Sequence, residues 1–253
     1  LFTKFLGLFF NQRDIKNIFF NYNSIGFSTE NIKLYGQKSM QENNDLRNMR
    51  LNYEQGQLLE SNIESDPFLQ FNKWFDLVLS ANVIEPNAMT IATANKEGIP
   101  SARVVLLKGF DKSGFIFFTN YGSRKGKELT DNPFASALFW WREFERQVRI
   151  EGKIEKVSRA ESEKYFNLRP VKSRYGALAS NQSEKVESRE VLEKRFAELE
   201  KQFGENPPTP ENWGGFRLIP NRFEFWQGRR DRLHDRICYE KFNNDWKIYR
   251  LQP

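Results

Sequence analysis

The only histidine, His234, stands in W-Q-G-R-R-D-R-L-H-D-R (226–236), among four arginines and two aspartates. If Arg232 to Tyr239 is a strand, side chains alternate with period two. Arg232, His234 and Arg236 then share one face, and Leu233, Asp235 and Ile237 share the other. Three cationic or titratable groups side by side repel one another unless something anionic or aromatic covers them. The stretch is therefore either a ligand platform or a solvated, charged edge strand.

Other groups of residues have the chemistry to hold anions. Ser123-Arg124-Lys125-Gly126-Lys127-Glu128-Leu129 follows a strand-like run and opens a helix, with Ser123 as N-cap. Basic residues in a first helical turn oppose the helix dipole, but suit a phosphate held there by backbone N–H groups. The alternative is a solvent-facing basic turn. Arg103 and Lys108 interrupt the apolar run R-V-V-L-L-K, where buried cations need partners. In a straight strand they point to opposite faces, so either a bulge intervenes or they serve two anions. In Arg146-Gln147-Val148-Arg149, Gln147 and Arg149 share a face, with Glu143, Glu145 or Glu151 as alternative ion-pair partners. Tyr165, Arg169 and Ser173 recur every four residues, with Ser173 expected in a loop after Pro170. They form a donor set suited to phosphate, or else an ordinary helix end. Gln182 and Ser183 lie in a polar loop. No nucleophile elbow, H-E-x-x-H motif or Walker loop is present, so a cofactor is expected to carry the hard chemistry.

These side chains need a scaffold. Asp66-Pro67 marks a helix start, and Phe68, Phe71, Phe75 and Val78 recur at helical spacing. The period then changes to two. Strands are expected at Ala88–Ala94, Ser101–Lys108 and Phe115–Thr119, forming an antiparallel meander, and at Phe134–Trp141 and Gln147–Val157. Ser158 caps a helix ending near Arg169-Pro170. Ser188 caps another, with Leu192, Phe196, Leu199 and Phe203 as its stripe and Gly204 as its stop. Strands follow at Gly215–Ile219, Arg222–Trp226 and Arg232–Tyr239, and Asp245 to Leu251 closes the chain. The fold class is α+β, mainly β: a barrel-like antiparallel sheet with peripheral helices.

A chain of 253 residues accommodates one large domain, and 24 phenylalanines suit an aromatic core. Residues 1–65 balance at seven basic and seven acidic residues, so the net charge of +6 lies wholly in 66–253. That suits small anions better than nucleic acid, since no long basic run or nucleic-acid motif is present. No apolar run approaches the roughly 18 residues that span a bilayer. One cysteine, Cys238, excludes an intrachain disulfide framework and, with one histidine, argues against a metal site. It fits a reducing compartment such as the cytoplasm. The Phe- and Asn-rich residues 1–40 resemble a mitochondrial presequence, the alternative being a disordered extension. Residues 1–48 are read as an N-terminal extension and 49–253 as the functional domain.

Taken together, the motifs resemble the pyridoxine/pyridoxamine 5′-phosphate oxidase family. They are S-A-R-V-V-L-L-K-G-F (101–110), F-F-T-N (117–120), S-R-K-G-K-E-L (123–129), N-P-F-A-S (132–136), R-Q-V-R-I-E-G (146–152), Y-F-N-L-R-P (165–170), N-Q-S (181–183), W-G-G (213–215), E-F-W-Q-G (224–228), R-L-H-D-R (232–236) and R-L-Q-P (250–253). The resemblance runs from about Asp66 to the C-terminus, and more loosely from Met49-Arg50. It implies a Greek-key-like split β-barrel that binds flavin mononucleotide (FMN) across a homodimer interface. It implies oxidation of pyridoxine or pyridoxamine 5′-phosphate to pyridoxal 5′-phosphate, with O2 reduced to H2O2. By resemblance, Arg103, Val104, Val105, Leu106, Phe118, Thr119, Arg124, Lys125, Gln147, Gln182, Ser183, Trp226 and Arg236 contact the flavin. Lys108, Tyr165, Arg169 and Ser173 clamp the substrate phosphate. Arg232, Leu233 and His234 hold the substrate ring, with Arg232 and His234 catalytic; no metal is implied. Arg174-Tyr175 departs from the family's expected Gln-Ile, and Arg142-Glu143-Phe144-Glu145 is more charged than expected. The other readings are a non-catalytic FMN-binding barrel and a related flavin reductase, which has no need of a second phosphate clamp.

Overall fold

The computed structural model describes residues 52–253. The expectations for residues 1–40, the 1–48 extension and the family match at Met49-Arg50 lie outside the described residues.

Local signals set the first helix. Asp66 Oδ1 accepts from the N–H of Phe68 at 2.8 Å, and Pro67 occupies the first turn of α1 (Pro67–Ser80). Phe68, Phe71, Trp74 and Val78 form its buried face, with Phe75 partly buried beside them. Phe71 is fully buried, its ring centroid 4.9 Å from those of Phe110 and Phe115 and 5.1 Å from that of Phe139. Such a side chain contributes about 1.5–3 kcal/mol by burial alone, and it packs α1 against the aromatic core of the sheet.

The strands are β1 (Ala88–Ala94), β2 (Pro100–Leu106), β3 (Gly109–Asp111), β4 (Gly114–Asn120), β5 (Phe134–Trp141), β6 (Arg146–Lys156), β7 (Trp213–Gln227), β8 (Asp235–Phe242) and β9 (Asp245–Arg250). The sheet order is β2-β1-β5-β6-β7-β4-β3, with β8 paired to β7 and β9 to β8, all antiparallel. This is the split β-barrel. The expected meander is only partly present: β1 and β2 form a hairpin, but β4 pairs with β7 and not with β2. The strand read as Ser101–Lys108 ends at Leu106, and a short β3 pairs with β4 instead.

Two expected strands, Gly215–Ile219 and Arg222–Trp226, are one, β7. Against β6, Pro220 faces Gly152 and Arg222 faces Glu151, so Asn221 is an extra residue. Phe216, Leu218 and Pro220 are buried before it, and Phe223 and Phe225 after it. The bulge changes which parity faces the core, and the period-two pattern breaks there.

The remaining helices are α2 (Arg124–Asp131), α3 (Arg159–Leu168), α4 (Val171–Ala179) and α5 (Arg189–Phe203). Ser158 caps α3, its Oγ accepting from the N–H of Glu161, as its sequence implies. Ser188 precedes α5 but makes no side-chain cap bond. α4 was not expected: Pro170 ends one helix and begins the next, so Ser173 is helical and not in a loop. Among the described residues, no helix is long and apolar enough to cross a membrane.

Candidate functional site

A cavity of about 1010 Å³ opens between β2, β4, the start of α2, the end of α3 and one face of α4. Arg103, Lys108, Arg124, Lys125 and Arg169 line it, and among the described residues no carboxylate does. Clefts that hold a small molecule run to about 300–1,000 Å³, so this space lies at the upper end of that range.

β4 delivers the first wall. Asn120 closes the turn after it, Oδ1 accepting from the N–H of Gly122 at 2.8 Å. Ser123 then caps α2, its Oγ accepting from the N–H of Gly126 at 3.3 Å. A Cβ at position 126 would lie 2.2 Å from the Tyr121 carbonyl oxygen, so only glycine allows this tight entry into the helix. Lys125 is 7% exposed, and its Nζ donates to Thr119 Oγ1 at 3.0 Å and Gln182 Oε1 at 2.9 Å. Burial, and then repulsion from Arg103, push its ammonium down to about 8. An anion in the cavity would offset both by favouring the protonated ammonium.

Phe118, also on β4, stacks on Tyr165 at 4.0 Å between centroids, and Trp213 extends the stack at 5.5 Å from Phe118. The Arg169 guanidinium lies 4.9 Å from the Trp213 ring centroid. Arg169 Nη1 is buried and has no hydrogen-bond partner among the described residues. Leaving such a donor unpaired is costly, so this wall also fits an anionic ligand. Lys108 lies beyond the end of β2, which removes the opposite-face constraint of a straight strand. It lines the same cavity as Arg103. β2 is itself a half-exposed edge strand, not a buried one, with Val104 66% exposed at the cavity rim.

One carboxylate stands behind the cations. Glu128, 5% exposed, accepts from Ser101 Oγ at 2.6 Å, from Thr93 Oγ1 and from Arg124 Nε at 2.8 Å, with Arg103 Nη2 at 3.4 Å. Burial raises its pKa, but the bonds from Ser101, Thr93 and Arg124 outweigh this and hold it down to about 2.

The structure thus gathers Arg103, Val104, Val105, Leu106, Phe118, Thr119, Arg124, Lys125, Gln182 and Ser183 with Lys108, Tyr165, Arg169 and Ser173. Gln147, Trp226, Arg232, Leu233, His234 and Arg236 do not line this cavity. Of these, Gln147, His234 and Arg236 gather around Trp226, and Arg232 and Leu233 lie in the turn just before His234. Gln147 pairs with Trp226 across β6–β7, and Trp226 with Arg236 across β7–β8. The His234 ring lies 4.7 Å from Trp226, and Trp140 lies 6.0 Å from it.

The strand expected from Arg232 begins only at Asp235. Residues 230–232 form a 3-10 turn in which Asp231 and Arg232 have φ of 56° and 61°. The left-handed pair abolishes the period-two face, so Arg232, His234 and Arg236 are not aligned on one strand. Leu233 is 70% exposed. The N–H of Arg229 donates to His234 Nδ1 at 3.1 Å, so a neutral ring carries its proton on Nε2. Burial, and then Arg232, lower the His234 pKa, with Asp235 opposing. Arg229 also donates to the Gly56 carbonyl at 3.0 Å, and Arg230 pairs with Glu54 at 2.8 Å. Arg230 is thus an exposed, solvated turn charge, 68% exposed along its side chain, whereas Arg229 is only partly exposed and tied to Gly56.

Sequence reasoning missed Tyr53, Glu128 and Glu224. Tyr53 meets the rings of both Trp226 and His234 edge-on at 5.7 Å. Glu224, 3% exposed, accepts from Arg236 Nε at 2.8 Å and from Arg149 Nη2. The i,i+4 spacing of Arg124 and Glu128 was the one signal available. Arg149 also pairs with Glu151 at 2.8 Å, one of its expected partners. The departing residues have a structural role: Arg174 Nη2 donates to the Glu205 carbonyl at 3.0 Å and the Tyr175 hydroxyl to that of Gly204, tying α4 to the end of α5.

A family model described as pyridoxamine 5′-phosphate oxidase matches residues 78–203, and one described as the pyridoxine 5′-phosphate oxidase C-terminal dimerisation region matches 213–253. A pyridoxine/pyridoxamine 5′-phosphate oxidase of Bordetella pertussis is 58% identical over 206 residues, covering 81% of this chain and 98% of the relative. One of Trichormus variabilis is 54% identical over 210 residues, covering 82% and 98%. Among solved structures, PhzG from Burkholderia lata 383, in complex with tetrahydrophenazine-1-carboxylic acid, is 38% identical with a TM-score of 0.74, covering 78% of this chain and 98% of its own. A pyridoxamine 5′-phosphate oxidase-related, FMN-binding protein from Nostoc punctiforme PCC 73102 shares the fold at 16% identity and a TM-score of 0.60, covering 74% and 98%. With two family models in order along the barrel and relatives matched over nearly their whole length, this chain belongs to the pyridoxine/pyridoxamine 5′-phosphate oxidase family.

Proposed function

We propose that this chain is an FMN-dependent oxidase that converts pyridoxine 5′-phosphate or pyridoxamine 5′-phosphate to pyridoxal 5′-phosphate, with O2 reduced to H2O2. The observation that carries the reading is the cavity with five cationic side chains and no carboxylate among its described lining residues. Two phosphates, one on the flavin and one on the substrate, account for that charge. The flavin phosphate is assigned to the start of α2, with Arg103, Arg124, Lys125, Gln182 and Ser183. The substrate phosphate is assigned to Lys108, Tyr165, Arg169 and Ser173.

FMN held by these residues would supply the hydride acceptor and the route by which the electrons reach oxygen. The protein's own residues supply position, which matters because hydride transfer needs a near-attack separation of about 3–3.5 Å. The phosphate clamp anchors one end of the substrate. His234 presents an Nε2–H donor to a ring substituent, its tautomer held by the Arg229 backbone. Arg232 brings a cation to the ring from its left-handed turn. The group around Trp226 does not line the cavity, and residues 213–253 match a dimerisation region. The second group is therefore assigned to the site of a second copy of the chain, which completes each centre in a homodimer.

The likeness to PhzG supports a second reading, in which the substrate is a fused-ring carboxylic acid. One experiment separates the two. The purified chain should show bound flavin in its absorption spectrum. Anaerobic addition of pyridoxine 5′-phosphate should bleach it, and tetrahydrophenazine-1-carboxylic acid should not. A flavin that stays oxidised with both phosphorylated substrates would sink the proposal.

A further inference from the structure

We propose that Glu128 is a positioning residue, whose carboxylate holds Arg103 and Arg124 in the orientation that receives the flavin phosphate. The inference rests on the flavin reading above and assigns a residue that touches neither flavin nor substrate: Glu128 is not among the residues lining the large cavity.

The two arginines come from different elements, Arg103 from the edge strand β2 and Arg124 from the first turn of α2. Arg124 is 63% exposed along its side chain, and a long solvated side chain surrenders rotamer entropy when an anion fixes it. Glu128 removes part of that cost beforehand. It takes the Nε of Arg124 at 2.8 Å, and among the described residues the two Nη groups of Arg124 have no protein partner. That leaves the fork of the guanidinium for a phosphate. On the other carboxylate oxygen it takes Arg103 Nη2, and the Ser101 and Thr93 hydroxyls that accept from Arg103 also donate to Glu128. The resulting network joins β1, β2 and α2 through one buried side chain. It also separates Arg103 and Arg124, whose charges together with Lys125 would otherwise repel one another before any ligand arrives.

Charge alone predicts the opposite effect. A carboxylate near an anion site weakens anion binding by Coulomb repulsion, so its removal should tighten binding. If positioning dominates, removal weakens it. The test is a titration of the full-length chain with FMN and with riboflavin, which lacks the phosphate, followed by quenching of flavin fluorescence. Wild type is compared with Glu128→Gln and Glu128→Ala, with thermal melting measured alongside. Gln keeps the shape but replaces one acceptor oxygen with a donor that faces a guanidinium. If Ala does not fold, Gln carries the comparison.

In the variants, FMN binding should weaken about tenfold or more, the scale of one lost charge-assisted hydrogen bond. Riboflavin binding should stay within about twofold on the same scale. Equal losses for both flavins would mean a merely structural role and overturn the inference, as would tighter or unchanged FMN binding. A wild type that binds FMN no better than riboflavin would overturn the flavin reading itself, and this inference with it.

Discussion

The backbone N–H of Arg229 donates to His234 Nδ1 at 3.1 Å, and this bond sets the protonation of the one histidine in the chain. A second proton on the ring would have to displace that donor. Burial and the nearby Arg232 push in the same direction, so His234 titrates below its ordinary 6.5. For stability the sign follows from the lowered folded pKa. Above 6.5 the neutral ring is accommodated, and the contribution is lost as pH falls through the folded value, where the unfolded chain binds more protons. Because the chain has a single histidine, one NMR signal reports this titration; a midpoint at or above 6.5 would contradict it.

If Lys125 holds the flavin phosphate as proposed, flavin affinity should depend on alkaline pH. Its ammonium is held down to about 8 from an ordinary 10.5. An anion binds the protonated form better, so FMN affinity should fall as pH rises above about 8, approaching one decade per pH unit. Without ligand, stability should rise between about 8 and 10.5, since a buried cation is lost there in the folded state first. Fluorescence titrations from pH 7 to 10 test this. Lys125→Met should flatten the profile, and a wild-type affinity independent of pH would rule the linkage out.

Arg232 and Arg124 should separate by phenotype. Arg232→Ala should lower turnover about tenfold or more while bound flavin stays, on the scale of one charged contact to substrate. Arg124→Ala should loosen flavin by a similar factor, with the flavin-saturated turnover nearly retained. The two are distinguished by flavin content after gel filtration and by kcat at saturating FMN. Wild-type turnover of Arg232→Ala with pyridoxine 5′-phosphate would remove that residue from the site.

Tyr175 anchors α5. It is fully buried, donates to the Gly204 carbonyl, and meets Phe196 edge-on at 5.6 Å. Tyr175→Phe should cost about 1 kcal/mol, the net worth of one hydrogen bond, and Tyr175→Ala about 3–5 kcal/mol by analogy with other large aromatic deletions. Denaturant unfolding gives the magnitude, and hydrogen exchange should show α5 opening before the barrel. Unchanged exchange in α5 would place its anchor elsewhere.

Local pattern alone determined the elements whose causes are local. Asp66-Pro67 starts α1, Ser123 and Ser158 cap their helices, and β1 and β5 carry clean alternation, because capping and side-chain period act within a few residues. The residues proposed to bind anions were legible chiefly by resemblance, since a basic turn and a phosphate cradle look alike in one sequence. Tertiary structure alone decided that β4 pairs with β7, about a hundred residues on, and that a bulge at Asn221 joins two apparent strands into one. It decided that Arg232 and His234 leave the strand at a left-handed turn, and that Lys108 and Arg103 line one cavity. It also brought Glu128 under Arg103 and Glu224 between Arg149 and Arg236. The reason is physical: a buried charge is stable only with partners, and the fold brings those partners from other elements, as Glu224 comes to Arg149 across β6–β7 and Glu128 comes from α2 to Arg103 on β2.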